Sequence, residues 1–416
     1  MKLTAVGAAV LGMCGALLLG AASASASWGP TVTISARATV PLGAVDNRGV
    51  LHTDYQLESG PTLDHYADVS PDGHVAVSRS ALDRRGLPDS TQTPTTAFTF
   101  LANGDAVRCA LRGNLNTTGN LSAYFYSSAG ALIKTVELAD AGNVFDLNSE
   151  DECEAVSTGD SAAILWAVPD ATVSTLHQSG RQLLLSRILP GLKLSAPVPV
   201  LPPGADQLAA YQSGTASLAV TKTGWIAVAW PYLDITKVTR SSITEVTQWR
   251  ARWISPADAL GPAVPLEQPR EGTCRDKSLA SCAVLDTSFY LGAVADEKVM
   301  VVADTESTWG TLDTAGVVSA RTPLPFPFPP SDFTSLAFGD YKAMAAWLTP
   351  KSSGTVWARE WSHGHWGAPR RLAQGHGGNR TYTSDALMSQ RGEGAVIWYR
   401  TVDPGFGAGA YVAFDR

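Results

Sequence analysis

Hydrophobic and polar residues along this chain alternate in short runs and do not recur at helical spacing, the pattern of many brief β-strands. Six stretches share one form: a small or polar lead, a tight turn, then alternating small and β-branched residues. They are Ala67–Ser78, Glu154–Trp166, Leu218–Trp230, Leu291–Ala303, Leu336–Trp347 and Leu387–Trp398, and Trp closes four of them. Each predicts a hairpin. A second hairpin follows, in which a strand, a turn and a strand end in a small-residue and proline stretch. The clearest copies run Gln182–Val200, Trp249–Leu266 and Val356–Leu372, with looser ones at Leu121–Leu138 and Trp309–Leu324. Two hairpins make a four-stranded unit, and the long gap before Trp166 leaves room for an extra unit around Phe98–Leu138.

Four-stranded units returning roughly every 40 to 70 residues predict an all-β fold, a β-propeller, whose twisted sheets bury both faces against their neighbours. Seven blades are expected, with six as the alternative count. The last copy supplies only Gly409–Phe414, and Thr31–Leu42 reads as the missing terminal strand, so the two ends should pair and close one domain over residues 27–416. The competing arrangement, β-sandwiches in series, would need linkers, and no Ser/Gly/Pro or charged linker separates the units.

Composition narrows the compartment. Residues 1–26 carry one charge, Lys2, then an apolar run from Val6 to Gly20 and the string Ala21-Ala22-Ser23-Ala24-Ser25-Ala26. That is the form of a secretory signal peptide, with cleavage expected after Ala26 or, alternatively, Ala24. Met13 before Cys14 is poor for lipidation, so an anchored lipoprotein is the less favoured reading. No later run approaches the ~18 apolar residues of a membrane span, so the mature chain is expected to be secreted and extracellular. The whole sequence has 31 Lys and Arg against 38 Asp and Glu, a net charge of −7, which disfavours nucleic acid as a partner. Its 38 glycines and 25 prolines fit a turn-rich domain.

Export changes how cysteine is read. Four cysteines remain beyond Cys14, an even number in an oxidising compartment, and of the three possible pairings Cys274–Cys282 closes most easily, leaving Cys109–Cys153. Other chemical signals are local. His363-Gly364-His365, near His376, offers imidazoles to a metal but shows only three of the usual four ligands, and an exposed turn gives the same spacing. Trp361 and Trp366 flank that turn and are the aromatic candidates for stacking on a sugar ring. Trp230, Trp347 and Trp398 recur at one repeat position and read as blade core. Asp146, Asn148 and Glu150 place oxygen donors at alternate positions, as calcium requires, although Asp151 stands where a full calcium loop has Gly. No cofactor is expected beyond that ion. Gly159-Asp160-Ser161 has the start of an esterase motif but falls in a hairpin turn, where a nucleophile elbow cannot form. Pro323–Pro330 reads as a rigid polyproline connection.

The repeats and phrases such as Trp366-Gly-Ala-Pro-Arg-Arg-Leu372 resemble the secreted β-propellers of high-GC bacteria, including sialidase-like and lectin-like ones. The turn box Ser-x-Asp-x-Gly-x-x-Trp common in sialidase-like propellers is missing; Ser70-Pro71-Asp72-Gly73 lacks its spacing and its Trp. The resemblance implies architecture and leaves two functions open. One is an exported, non-catalytic propeller holding a glycan or an extracellular protein on one rim. The other is a glycan-active hydrolase or lyase, sialidase-like, with carboxylates converging on the central channel. The lack of a local catalytic motif favours the first. Its rim would be built from the connections of unusual length, namely Leu233–Gln248, Cys274–Cys282 and Asp146–Glu152.

Overall fold

The computed structural model describes residues 28–57, 65–76, 98–112, 120–139, 153–174, 179–201, 216–239, 242–274, 288–303, 306–326, 334–349, 354–374, 379–402 and 406–415. Every regular element among them is a β-strand. The strands form seven antiparallel sheets arranged in a ring, a seven-bladed β-propeller, and the first six meander outwards in chain order. The inner strands of blades 1 to 7 are Ala38–Val45, Phe98–Phe100, Cys153–Thr158, Ser217–Val220, Phe289–Ala295, Thr334–Gly339 and Asn379–Met388. The additional unit expected near Phe98–Leu138 is blade 2.

Blade 7 takes its outer strand from the other end of the chain. Val32–Ser35 pairs with Phe406–Phe414, with Val32 opposite Val412 and Thr33 opposite Tyr411. The expected terminal strand Thr31–Leu42 is therefore divided. Its first half closes blade 7, and Ala38–Val45 opens blade 1, with Pro41 lying within the register shift between Thr39 and Leu42 that a ladder needs at a proline. A second correction concerns Ala67–Ser78. It is the outer hairpin of blade 1, pairing His65–Val69 with Val75–Ala76, whereas the five later copies are inner hairpins.

Period-two alternation explains how blades pack. In blade 4, Leu218, Val220, Ile226, Val228, Trp230 and Ile254 point to blade 3, while Ala219, Ala227, Ala229, Trp249, Ala251 and Trp253 point to blade 5. The other blade junctions repeat this arrangement, down to the small cluster of Ala44, Phe100, Ala106, Tyr124 and Tyr126 between blades 1 and 2. Trp166, Trp230, Trp347 and Trp398 are all buried, each on the second strand of its blade. A buried side chain of this size contributes about 1.5–3 kcal/mol, so stability is spread around the ring.

The tight turns share a chemistry. In the segments starting at Asp46, Ser70, Leu101, Ser127, Thr221, Ser255, Asp313 and Ser389, the N–H three residues on donates to the first residue's carbonyl. Where that residue is Asp, Ser or Thr, its side chain usually also accepts the N–H four residues on, as from Val50 to Asp46, Trp225 to Thr221 and Val317 to Asp313. Gly ends most of these turns; Asp258 takes that place at φ 62°, its carboxylate held by Arg187 at 2.7 Å. Arg187 of blade 3 also donates to the Gly224 and Ser255 carbonyls of blade 4, stapling the two blades. A disulfide joins Cys109 in the second strand of blade 2 to Cys153 at the start of blade 3, Cα to Cα 5.9 Å. Cys274 ends the strand Arg270–Cys274, and Cys282 lies outside the described residues.

Candidate functional site

The meander sorts every connection onto one of two rims. Turns between first and second, and third and fourth, strands emerge at one end of the ring, here the turn rim. Links between second and third strands, and from one blade to the next, emerge at the other, the insertion rim. All three connections of unusual length belong to the insertion rim. The blade 4 hairpin of Ile226–Val238 and Ile243–Ile254 rises there in continuous register, Ile226 opposite Ile254 and Val238 opposite Ile243, and Arg270–Cys274 extends it by a third strand. The links flanked by Ala139 and Cys153, and by Cys274 and Phe289, leave and rejoin the sheets at the same rim. Asp146, Asn148 and Glu150 themselves lie outside the described residues.

The turn rim is built differently. Its turns are short and touch one another across blades. Asn47 of blade 1 donates to the Leu101 carbonyl of blade 2 at 2.6 Å, Ser161 of blade 3 to the Lys222 carbonyl of blade 4 at 3.2 Å, and Thr223 to the Asp296 carbonyl of blade 5 at 3.0 Å. Lys222 reaches past blade 5 to form an ion pair with Asp340 of blade 6. Ser161, the serine of the esterase-like tripeptide, is thus a structural hydroxyl.

One cluster of charge and one separate carboxyl group are shielded from solvent. His52 is buried between blades 1 and 2, 5.3 Å from the Phe100 ring, with Nδ1 2.7 Å from Asp68 and Nε2 3.3 Å from Asp46. Burial would lower its pKa, but the two carboxylates overcome that and raise it to about 9. Asp46 is held down to about 2: burial opposes this, and hydrogen bonds from His52, Arg48 and main-chain N–H groups outweigh it. The two carboxylates that clamp the imidazole favour its charged form. The separate carboxyl is that of Asp385 on the inner strand of blade 7, its pKa pushed up to about 6 by burial. It stands four residues before the turn that begins at Ser389. In blade 4 the residue four before the turn at Thr221 is Ser217, whose oxygen accepts the Leu291 N–H of the next inner strand at 2.9 Å. Asp385 makes no such bond to described residues. Setting the inner strands in register by their turns would have exposed this residue in the sequence; His52 carried no comparable signal.

The remaining sequence candidates scatter. Trp361 and Trp366 are only 5% and 9% exposed, packed between blades 5 and 6 with Phe326 and Trp309, so neither offers the ring face expected of a sugar-stacking residue. The correction is one of parity: Trp361 sits directly opposite Trp366, and that shared face turns to blade 5. His363 and His365 are exposed on the turn between them, the His365 ring 3.3 Å from the His363 carbonyl, and that turn belongs to the turn rim. Among the described residues no group of three or more His, Cys, Asp or Glu side chains could hold a metal. His376 lies outside them, as do residues 327–330 of the proline run, whose start forms the outer strand Thr322–Pro323. No helix among the described residues is long and apolar enough to cross a membrane.

No protein-family model matches this chain, and no curated protein matches it. Among solved structures it is similar to AofleA from Arthrobotrys oligospora, with 11% identity, 74% of this chain and 80% of that one covered, and a TM-score of 0.37. Prolyl oligopeptidase B from Galerina marginata is 10% identical at a TM-score of 0.36, with 88% of this chain matched to 47% of that one. A protein of unknown function from Dyadobacter fermentans is 10% identical at a TM-score of 0.38, covering 94% of this chain and 100% of its own. At TM-scores this low the matches carry no argument about this chain; its fold rests on its own sheets and its function has to be read from its own rims.

Proposed function

We propose that this chain is an exported, non-catalytic binding propeller that holds a glycan or an extracellular protein on its insertion rim. One observation carries the reading: the blade 4 hairpin and the links that follow Ala139 and Cys274 all open on that rim, while the opposite rim consists of short turns fastened to each other. Packing fixes the strands of a propeller, so ligand contacts come from loops at a rim and from the channel mouth. The inter-blade disulfide fits an oxidising compartment. The test is a glycan array and a pull-down with extracellular proteins. The intact chain is compared with one whose blade 4 hairpin is cut back to the facing pair Leu233 and Thr247 and rejoined by a tight turn. Loss of binding is expected on shortening; undiminished binding removes this rim.

Asp385 favours the glycan-active hydrolase as a second reading, since a carboxyl with a pKa of about 6 suits a general acid. That reading requires a partner carboxylate on another blade. Turnover of a glycan that Asp385→Asn abolishes would establish it in place of the first.

A further inference from the structure

We propose that the turn rim carries a separate binding site for a primary ammonium group on an unbranched stem, a site in which the chain's own Lys222 is the resident occupant. The inference does not depend on the insertion-rim reading.

The Lys222 ammonium sits 4.8 Å from the centre of the Tyr341 ring and pairs with the Asp340 carboxylate beside it. A carboxylate next to an aromatic face is a receptor for an alkylammonium ion, the charge meeting one group and the ring quadrupole the other. What makes this a receptor, and not simply a surface ion pair, is that its acceptor half is assembled without the lysine side chain. Asp340 and Tyr341 form the blade 6 turn, and both adopt left-handed backbone, φ 45° and 63°, a conformation unusual for a tyrosine. The Tyr341 hydroxyl holds that turn in place by donating to the Asp296 carboxylate of blade 5 and accepting the main-chain N–H of Lys222, the latter at 3.1 Å. Lys222 thus contributes its backbone to building the site and its side chain to filling it.

The occupant is also displaceable. The side chains of Lys222 and Asp340 are 43% and 34% exposed, and an exposed ion pair exchanges readily. The nearby Lys342 does not compete for the site, because Glu360 engages it at 3.4 Å. Swinging Lys222 into solvent leaves the Asp340 carboxylate and the Tyr341 ring open to an incoming ammonium.

Titration with n-butylammonium chloride, followed by NMR of the Tyr341 ring and Asp340 N–H against sodium chloride at equal ionic strength, tests the site. Lys222→Met keeps the backbone N–H and the apolar stem; Lys222→Gln is the second variant should the first misfold. Either should bind butylammonium at least ten-fold more tightly than the native chain, and adding Asp340→Asn should abolish the gain. Equal affinity in native and Lys222 variants, or a gain that survives Asp340→Asn, overturns the proposal. An Nα-acetyl-lysine amide run in parallel separates the sources: tighter binding than butylammonium assigns the site to a protein lysine, equal binding to a free amine, and either result upholds it.

Discussion

At the scale of single residues, the strongest electrostatic feature is His52 between Asp46 and Asp68. Its pKa is raised in the folded chain, so its contribution is complete below the unfolded value of about 6.5 and is lost as pH rises through about 9. Asp46 behaves in the opposite sense: its contribution is present above 3.8 and disappears as pH falls towards 2. Urea midpoints measured across pH should decline on both flanks, and His52→Gln should flatten the alkaline one. At neutral pH that variant should lose about 2 kcal/mol, because two charge-assisted contacts, to Asp68 and to Asp46, go with the imidazolium. A milder core prediction concerns Gly292. A methyl group there would meet the Phe338 ring of blade 6, and Gly292→Ala should destabilise by about 1–3 kcal/mol in the same assay.

Among elements, the hairpins were largely legible. Alternation and turn residues, with a closing Trp in all but blade 5, identified the inner hairpins of blades 3 to 7, and the outer hairpins of blades 2 to 6 lay where the second hairpin pattern predicted. Blade 1 was misphased at Ala67–Ser78 because its outer turn, Ser70-x-x-Gly73, has the same chemistry as the inner turn Asp46-x-x-Gly49. Which face of a strand a side chain occupies was harder to see. Trp361 and Trp366 flank a turn, and their inward parity follows from pairing across it, which local polarity does not encode. Asp385 emerges only when the inner strands are set in register by their turns, and the cross-blade reach of Lys222 belongs to the tertiary arrangement and has no local signature. The Cys109–Cys153 bridge ties two such elements together, and Cys109→Ser with Cys153→Ser should lower stability by about 2–4 kcal/mol. Thermal melts with and without reductant check this: under oxidising conditions the double variant should melt below the native chain, and reductant should close most of that difference.

On the scale of the whole molecule, closure governs the ring. Val32–Ser35 covers the outer edge of blade 7, and Trp28 packs with Met344 and Trp398 while bridging Asp415. Removing residues 28–35 should leave that edge unpaired and uncover Val412 and Phe414. The expected result is a lower melting temperature together with concentration-dependent association, read by calorimetry and light scattering; a monomer of native stability would contradict it.

The same clasp imposes an order in time. During synthesis the first strand of the clasp is made before any blade, and its partner, Phe406–Phe414, is made last. Until then blades 1 and 7 have no common boundary, and their facing surfaces, Leu51 and Val69 on one side and Ile397 and Val412 on the other, are wet. Joining ends so remote costs about 5 kcal/mol of chain entropy, recovered only when the last junction packs. The ring should therefore mature in two stages, fast local hairpins and then a slow, single event that dries the final seam.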